Sequence, residues 1–307
     1  MGRLRGVALA SLAPVLWATN IVAARVVVTH GVHPFVLTFV RWLLAGLLLY
    51  AYCRALAVCG GRLSTLALLG FLGITVFSNL TYTALSLAPA AVVGVVIGLV
   101  PAVTVIIAWL RGVERPDALI VVAAALGFAG VALLEAGGLR APGGYGTFLG
   151  ALVALAAVVA WGFYTVESRR LVAGLHPVAV LGLSTLLASP FNLAFAAPFI
   201  PASIPGLLEP LNDALIVYTA VVPGFVAYLA WIHAVKLLGP SSTNIYVNLL
   251  PLAALLLAVA LLGERLTPLE WLGAALIIAS AGVTAWREAR RAARHPRVKP
   301  RRRPQGP

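Results

Sequence analysis

Two stretches about 150 positions apart share one layout. Residues 89–116 read PAAVVGVVIGLVPAVTVIIAWLRGVERP, and residues 240–268 read PSSTNIYVNLLPLAALLLAVALLGERLTP. Each opens on a proline, runs apolar, holds an inner proline (Pro101, Pro251) and closes on a glutamate (Glu114, Glu264). An inner proline removes a backbone donor and clashes with the preceding turn, so each stretch is expected to be a broken helix. A duplication at this distance makes the chain two copies of one unit.

What kind of unit follows from how apolar the chain is. Of 307 residues, 62% are hydrophobic and 10% charged, more apolar surface than a soluble domain of this length can cover. A helix needs about 20 apolar residues to cross a bilayer core. Ten such runs fit: 7–28, 34–53, 64–87, 90–110 and 117–136, then 147–167, 177–198, 213–237, 241–262 and 268–286. The expected fold is an all-α membrane protein of ten transmembrane helices in two inverted five-helix repeats. The repeats span 1–136 and 147–286. A glycine-rich linker, 137–146, joins them, and a basic tail, 287–307, follows. The proline-rich stretch 199–212 is expected to be a loop.

The net charge of +13 does not indicate a nucleic-acid partner. Nine of the 22 basic residues lie in the tail between Arg287 and Arg303, and most others sit in short gaps between apolar runs. With the N-terminus inside, Arg3, Arg5, Arg54, Arg62, Arg111, Arg115, Arg169, Arg170 and Lys236 fall inside. Only Arg25, Arg140 and Arg265 fall outside. That bias puts both termini in the cytoplasm of a cell-membrane protein. The tail is disposed like an anchor for anionic lipids. The two cysteines, Cys53 and Cys59, lack partners for a metal site and read as bystander thiols. No cofactor is expected.

The halves align beyond the two prolines. Trp17 matches Trp161, His33-Pro34 matches His176-Pro177, Pro89 matches Pro240 and Gly130 matches Gly282. The offset grows from 143 at the histidines to 152 at the last glycines. An odd number of helices per copy forces the copies to run in opposite directions. Inverted repeats are a hallmark of secondary transporters, whose sites lie near midplane between the copies. The motifs VLWATN, VVAWGF, VRWLLAGLLL and LLPLAALLLAVALLGERLTPLEWLGAALIIASAGV, with the first copy of the broken helix, carry a resemblance. Over about residues 6–286 the chain resembles the drug/metabolite transporter superfamily in its ten-helix EamA-type form. The first copy departs in having RGVERP where the second has LGERLTP. The resemblance implies a carrier of small metabolites, such as an exporter of amino acids or related compounds. Relatives that move nucleotide sugars or phosphorylated sugars leave a second cargo class open.

Polar groups at membrane depth are costly and face the bundle interior or a cavity. On the third helix Thr75, Asn79, Tyr82 and Ser86 share one face. Trp17 and Asn20 on the first helix, Trp161 and Tyr164 on the sixth, and Tyr228 and Trp231 on the eighth are further substrate candidates. On the ninth helix Asn244, Asn248 and Pro251 fall on one face, where the first copy has Gly94, Gly98 and Pro101. The polar copy is expected to touch cargo, and the glycines to pack against another helix. Each Ser, Thr or Asn can instead join helices by hydrogen bonds. Arg41 is a strongly basic residue deep in an early helix with no carboxylate at its depth. It can bind carbonyls, snorkel, or meet an anionic group of the cargo. His233 reads as a hydrogen-bonded helix contact, and Glu114 and Glu264 as caps and rim partners. A membrane-embedded enzyme is disfavoured because no paired carboxylates or Ser/His couple share a depth. A passive channel is disfavoured because the two halves are unequal.

Overall fold

The computed structural model describes residues 2–58, 62–88, 90–134, 136, 145–262 and 267–294. It is all-helical. In chain order the traverses are α1 (Gly2–Thr29), α2 (Pro34–Ala55), α3 (Leu63–Leu87), α4 in two pieces (α4a, Ala90–Ile97; α4b, Val100–Leu110) and α5 (Ala118–Leu134). The second copy contributes α6 (Tyr145–Gly174), α7 (Pro177–Leu207), α8 (Pro210–Leu238), α9 in pieces (α9a, Pro240–Ile245; α9b, Leu249–Leu262) and α10 (Pro268–Arg294). Eight of the described helices are long and apolar enough to cross a membrane, and α5 is a shorter apolar helix.

Both fourth helices break just before their inner proline. The α4 break falls at residues 98–99, ahead of Pro101, and the α9 break is a single 3-10 turn, Tyr246–Asn248, ahead of Pro251. A proline has no N–H to offer the carbonyl four residues back, so Ile97 and Val247 lose their helical donors there. The His-Pro pairs are also equivalent. His33 Nδ1 accepts from Phe35 N and His176 Nδ1 accepts from Val178 N, both at 3.3 Å, with the proline in the first helical position.

Helix pairing follows a two-fold exchange of the copies. The broadest contacts are α5 with α10 and α2 with α7, pairs that map onto themselves. The contact of α1 with α8 maps onto that of α6 with α3, and that of α6 with α4b onto that of α1 with α9b. Even the irregularities repeat: α3 widens into a π-helical turn at Phe71–Val76, and α8 does so at Ala220–Val226, around Pro223. Where α5 and α10 approach closely, glycine permits it. A Cβ on Gly130 would stand 2.8 Å from the Gly273 carbonyl oxygen, and one on Gly273 would stand 2.7 Å from that of Gly130.

The structure departs from the sequence-based expectations in four places. Residues 200–207 are helical, not loop, because Pro201 occupies the first turn, where its missing N–H does no harm. α10 continues through Arg294, so the first residues assigned to the tail are an ordered helix end. Cys53 is disulfide-bonded, not a free thiol. Tight glycine-mediated approaches lie away from α4, at Gly70, Gly130 and Gly273, while Gly98 packs less tightly, against Val131 of α5. Residues 137–144 of the linker, 295–307 of the tail, Pro89, Cys59, Glu135 and Glu264 lie outside the described residues.

Candidate functional site

The matched tryptophans meet at the centre of the bundle. Their ring centroids are 5.7 Å apart and nearly perpendicular. Trp17 Nε1 donates to the Pro223 carbonyl at 3.2 Å, the oxygen sitting in the widened turn of α8. Trp161 Nε1 donates to Asn244 Oδ1 at 2.9 Å. Each indole is thus anchored by the other copy or by a broken helix. Tyr228 packs 5.1 Å from Trp17, and Trp231 lies 5.2 Å from Trp17 and 5.8 Å from Trp161.

This aromatic floor underlies a cavity of about 850 Å³. Its wall takes Trp17, Asn20 and Val28 from α1, Arg41 from α2, Phe77, Ser78, Thr81 and Tyr82 from α3, and Gly94, Ile97 and Gly98 from α4. The second copy adds Trp161, Pro223, Tyr228, Val247, Asn248 and Pro251, with Glu270 at the mouth. Along each helix these positions run from about mid-depth towards the end remote from the termini. The volume lies within the range of small-molecule sites.

The opposite end, which carries the termini, is closed by charge. Glu288 is fully buried and is paired with Arg3 of α1. It also accepts from Arg287 Nη1 at 2.7 Å and from the Ser242 hydroxyl at 2.9 Å. Asp117, at the start of α5, accepts from Arg287 Nε at 2.8 Å and Arg291 Nη2 at 2.9 Å. Helices α1, α5, α9a and α10 are bound into one cluster. Nearby, the Glu114 carboxylate accepts from Ser241 N at 3.1 Å, capping α9a beside Gly239, whose φ of 91° suits only glycine. Arg111 and Arg170 pair with Glu167. Every ion pair among the described residues lies at this end. Burial pushes the Glu114 carboxyl above its ordinary value despite the Ser241 bond. For Asp117 burial acts the same way, but the Arg287 bond and the charges of Arg287 and Arg291 outweigh it and hold the carboxyl low.

A family model for the EamA-like transporter family matches residues 4–135 and again 148–286. The chain belongs to the EamA-like transporter family. Its two EamA domains agree with the inverted repeats, and the protein is a membrane transporter, not an enzyme. An inner membrane transporter of Escherichia coli strain K12, YedA, is 27% identical over 86% of this chain and 85% of its own. The transporter YvbV of Bacillus subtilis is 26% identical over 87% of each. A protein of Streptantibioticus cattleyicolor described as a probable terminal-alkyne amino-acid exporter is 28% identical over 73% of this chain and 77% of its own. One crystal structure, 25% identical, superposes with a TM-score of 0.76 over 93% of this chain and 98% of that chain.

Of the residues singled out in the sequence, Trp17, Asn20, Arg41, Tyr82, Trp161, Tyr228, Asn248 and Pro251 reach the cavity wall. Five do not. Asn79 is buried, donates to the Thr75 carbonyl at 2.9 Å and faces Asn192 of α7, so it joins α3 to α7. Tyr164 packs against Gly73 and Trp161. Trp231 supports the floor from behind, Asn244 holds the Trp161 indole, and Pro101 is buried below the α4 break. Gly94 and Gly98, expected to pack only, both line the cavity. His233 bonds its own helix through the Leu229 carbonyl at 2.8 Å, away from the wall. Phe77, Ser78 and Thr81 also line the wall, with no sequence signal to single them out. They follow the widened turn of α3, which no proline announces in the sequence.

Proposed function

We propose that this transporter is a secondary carrier that moves small polar or zwitterionic metabolites, amino acids or related compounds, by alternating access. The observation that carries this reading is the contrast between the ends: an 850 Å³ cavity reaches mid-depth from one side, and ion pairs seal the other. A channel needs both ends open to conduct, whereas a carrier exposes one at a time. The two copies would rock about the Trp17–Trp161 contact, exchanging the roles of α4a and α9a. The amino-acid cargo and outward direction draw on the relative from Streptantibioticus cattleyicolor and on the size of the cavity. With the termini in the cytoplasm, as the arginine bias suggests, the open end is extracytoplasmic and the protein resides in the cell membrane. The basic residues beyond Arg294 would then lie on the side of the anionic cytoplasmic lipids.

The test is exchange in proteoliposomes. Unlabelled amino acid on the far side should accelerate movement of labelled amino acid, which neither a channel nor an enzyme predicts. Orientation is checked by labelling single cysteines from outside: one at Tyr145, an exposed side chain, should react, and one at Arg290 should not. The reverse pattern would place the open end in the cytoplasm and invert the direction of transport.

A further inference from the structure

We propose that Arg41 is the docking point for a carboxylate on the cargo, an inference that rests on the carrier reading of the same cavity. Arg41 is about nine-tenths buried on the cavity wall. A guanidinium keeps its charge at that depth, so it requires compensation. No carboxylate among the described residues supplies it, because every ion pair lies at the far, sealed end. What the protein does supply is a mount. Asn20 Oδ1 accepts from one terminal nitrogen, Nη1, at 2.9 Å. The guanidinium carbon lies 4.7 Å from the centre of the Trp42 ring, a cation–π contact. Nε is buried with no partner.

That leaves the edge bearing Nε unused, and this edge offers two parallel N–H groups that match a carboxylate in a bidentate pair. Among wall residues, Arg41 Nε and Asn248 Nδ2 are buried without a partner; Asn248 Nδ2 lies against Gly127 of α5, so the unmet donor beside the cavity is that of Arg41 itself. The other charged wall residue, Glu270, is occupied at the mouth, where it accepts from Thr267 N at 2.7 Å as half of a capping box. A positive group on the same cargo would meet the faces of Trp17, Trp161 and Tyr228. An amino acid satisfies both demands: its carboxylate on Arg41 and its ammonium over the aromatic floor.

The experiment uses full-length purified protein and thermal shift, since a ligand of the native state raises the melting point. The probes are amino acids, each paired with its carboxamide, and inorganic phosphate. An amino acid that stabilises the protein should lose roughly 10- to 100-fold in affinity as its carboxamide, the scale of a hydrogen bond to a charged group. Arg41→Gln should produce the same loss, and Arg41→Lys, with charge but no fork, an intermediate one. If Arg41→Gln folds poorly, the acid and carboxamide pair on the unaltered protein decides. Equal affinity for acid and carboxamide, stabilisation by phosphate with no carboxylate active, or failure of every carboxylate to bind would each overturn the assignment. Trans-stimulated exchange of a solute whose carboxamide binds equally well would remove Arg41 and leave the carrier standing. Binding of carboxylate through Arg41 without any exchange would do the reverse.

Discussion

α4a and α9a are the same element in two copies of one unit, yet their surroundings are opposite. All six residues of α9a are buried, its N-terminus is capped by Glu114 and its Ser242 is tied to Glu288. α4a instead presents Val93, Gly94 and Ile97 to a cavity. Each is followed by a break and an inner proline, so the local sequence logic is shared. The difference lies in what the rest of the molecule does at each end: charge clamps α1, α5 and α10 around α9a, and no described ion pair holds α4a. Two equivalent elements caught in unequal environments are what one state of an inverted-repeat carrier requires.

The clamp is where the comparison breaks most easily. Glu288 has no exposure and neutralises Arg287 and Arg3. Glu288→Ala leaves Arg287, itself 5% exposed, with Asp117 and Ser242 as its remaining partners, so the cost lies near the low end of the ~3–5 kcal/mol for a broken buried pair. The melting temperature should drop further than in any of the glycine, asparagine or aspartate variants that follow. The substitution should also expose α9a. A cysteine replacing the buried Thr243 should react with a maleimide much faster in the Glu288→Ala background. Unchanged labelling would mean that packing, and not charge, closes this end.

Next come the glycines. Gly130→Leu drives a side chain into the Gly273 backbone and must part α5 from α10, an overpacking cost of about 1–3 kcal/mol. Gly94→Leu places the same side chain in the cavity. The first should lower the melting temperature, and the second should abolish cargo binding while changing the melting temperature little. If the two variants behave alike, the open end is not an open end.

The asparagines of α9 sharpen the contrast within one broken helix. Asn244→Ala takes the acceptor from the buried Trp161 indole, and an unsatisfied buried donor costs about 1–3 kcal/mol. Stability should fall in a thermal melt. Asn248→Ala leaves Trp161 alone and removes an amide from the wall. Affinity for a stabilising amino acid should fall roughly five- to hundredfold while the melt changes little. Unchanged affinity would take the ninth helix out of the site.

Much of this architecture could be read from the sequence because it rests on local rules. The apolar runs set ten traverses, Pro101 and Pro251 set the breaks, and the His-Pro pairs set equivalent helix starts. The matched tryptophans led to the centre for the same reason. What failed involves departures from an ideal helix or partners far apart in the chain. Asn244 and Asn248 share a face only if every turn is α-helical. The 3-10 turn at Tyr246–Asn248 advances about 120° per residue and swings them apart. The widened turn in α3 likewise moved Phe77 and Ser78 onto the wall without a sequence signal. The clamp was invisible because Arg3 and Glu288 stand 285 positions apart. Read singly, Arg3 is one of the basic residues that bias orientation and Glu288 is a charge at a helix end. Only packing of α1 against α10 makes them partners.

The smallest expected effect is acid dependence at the sealed end. Two carboxyls there, Glu114 and Asp117, move in opposite directions. Glu114 is pushed above its ordinary value of 4.5, so the folded protein takes up its proton before the unfolded chain does. Stability attributable to Glu114 therefore rises as pH falls from above its raised value towards 4.5. Asp117 is held below its ordinary value of 3.8 by Arg287 and Arg291. Its contribution is complete above about pH 3.8 and is lost as pH falls through the lowered value. Asp117 and Arg291 are each 41% exposed, so solvent screens the pairing, and the change should not exceed about 1 kcal/mol. The melting temperature should hold or rise slightly as pH drops towards 4.5 and then decline below about 3.8. Glu114→Gln should remove the first limb alone, and Asp117→Asn should shallow the second alone. A decline of unchanged steepness in Asp117→Asn would place the acid sensitivity outside the Asp117 pairings. The closure of this end would then owe little to α5, and the clamp would reduce to the joining of α1, α9a and α10 through Glu288.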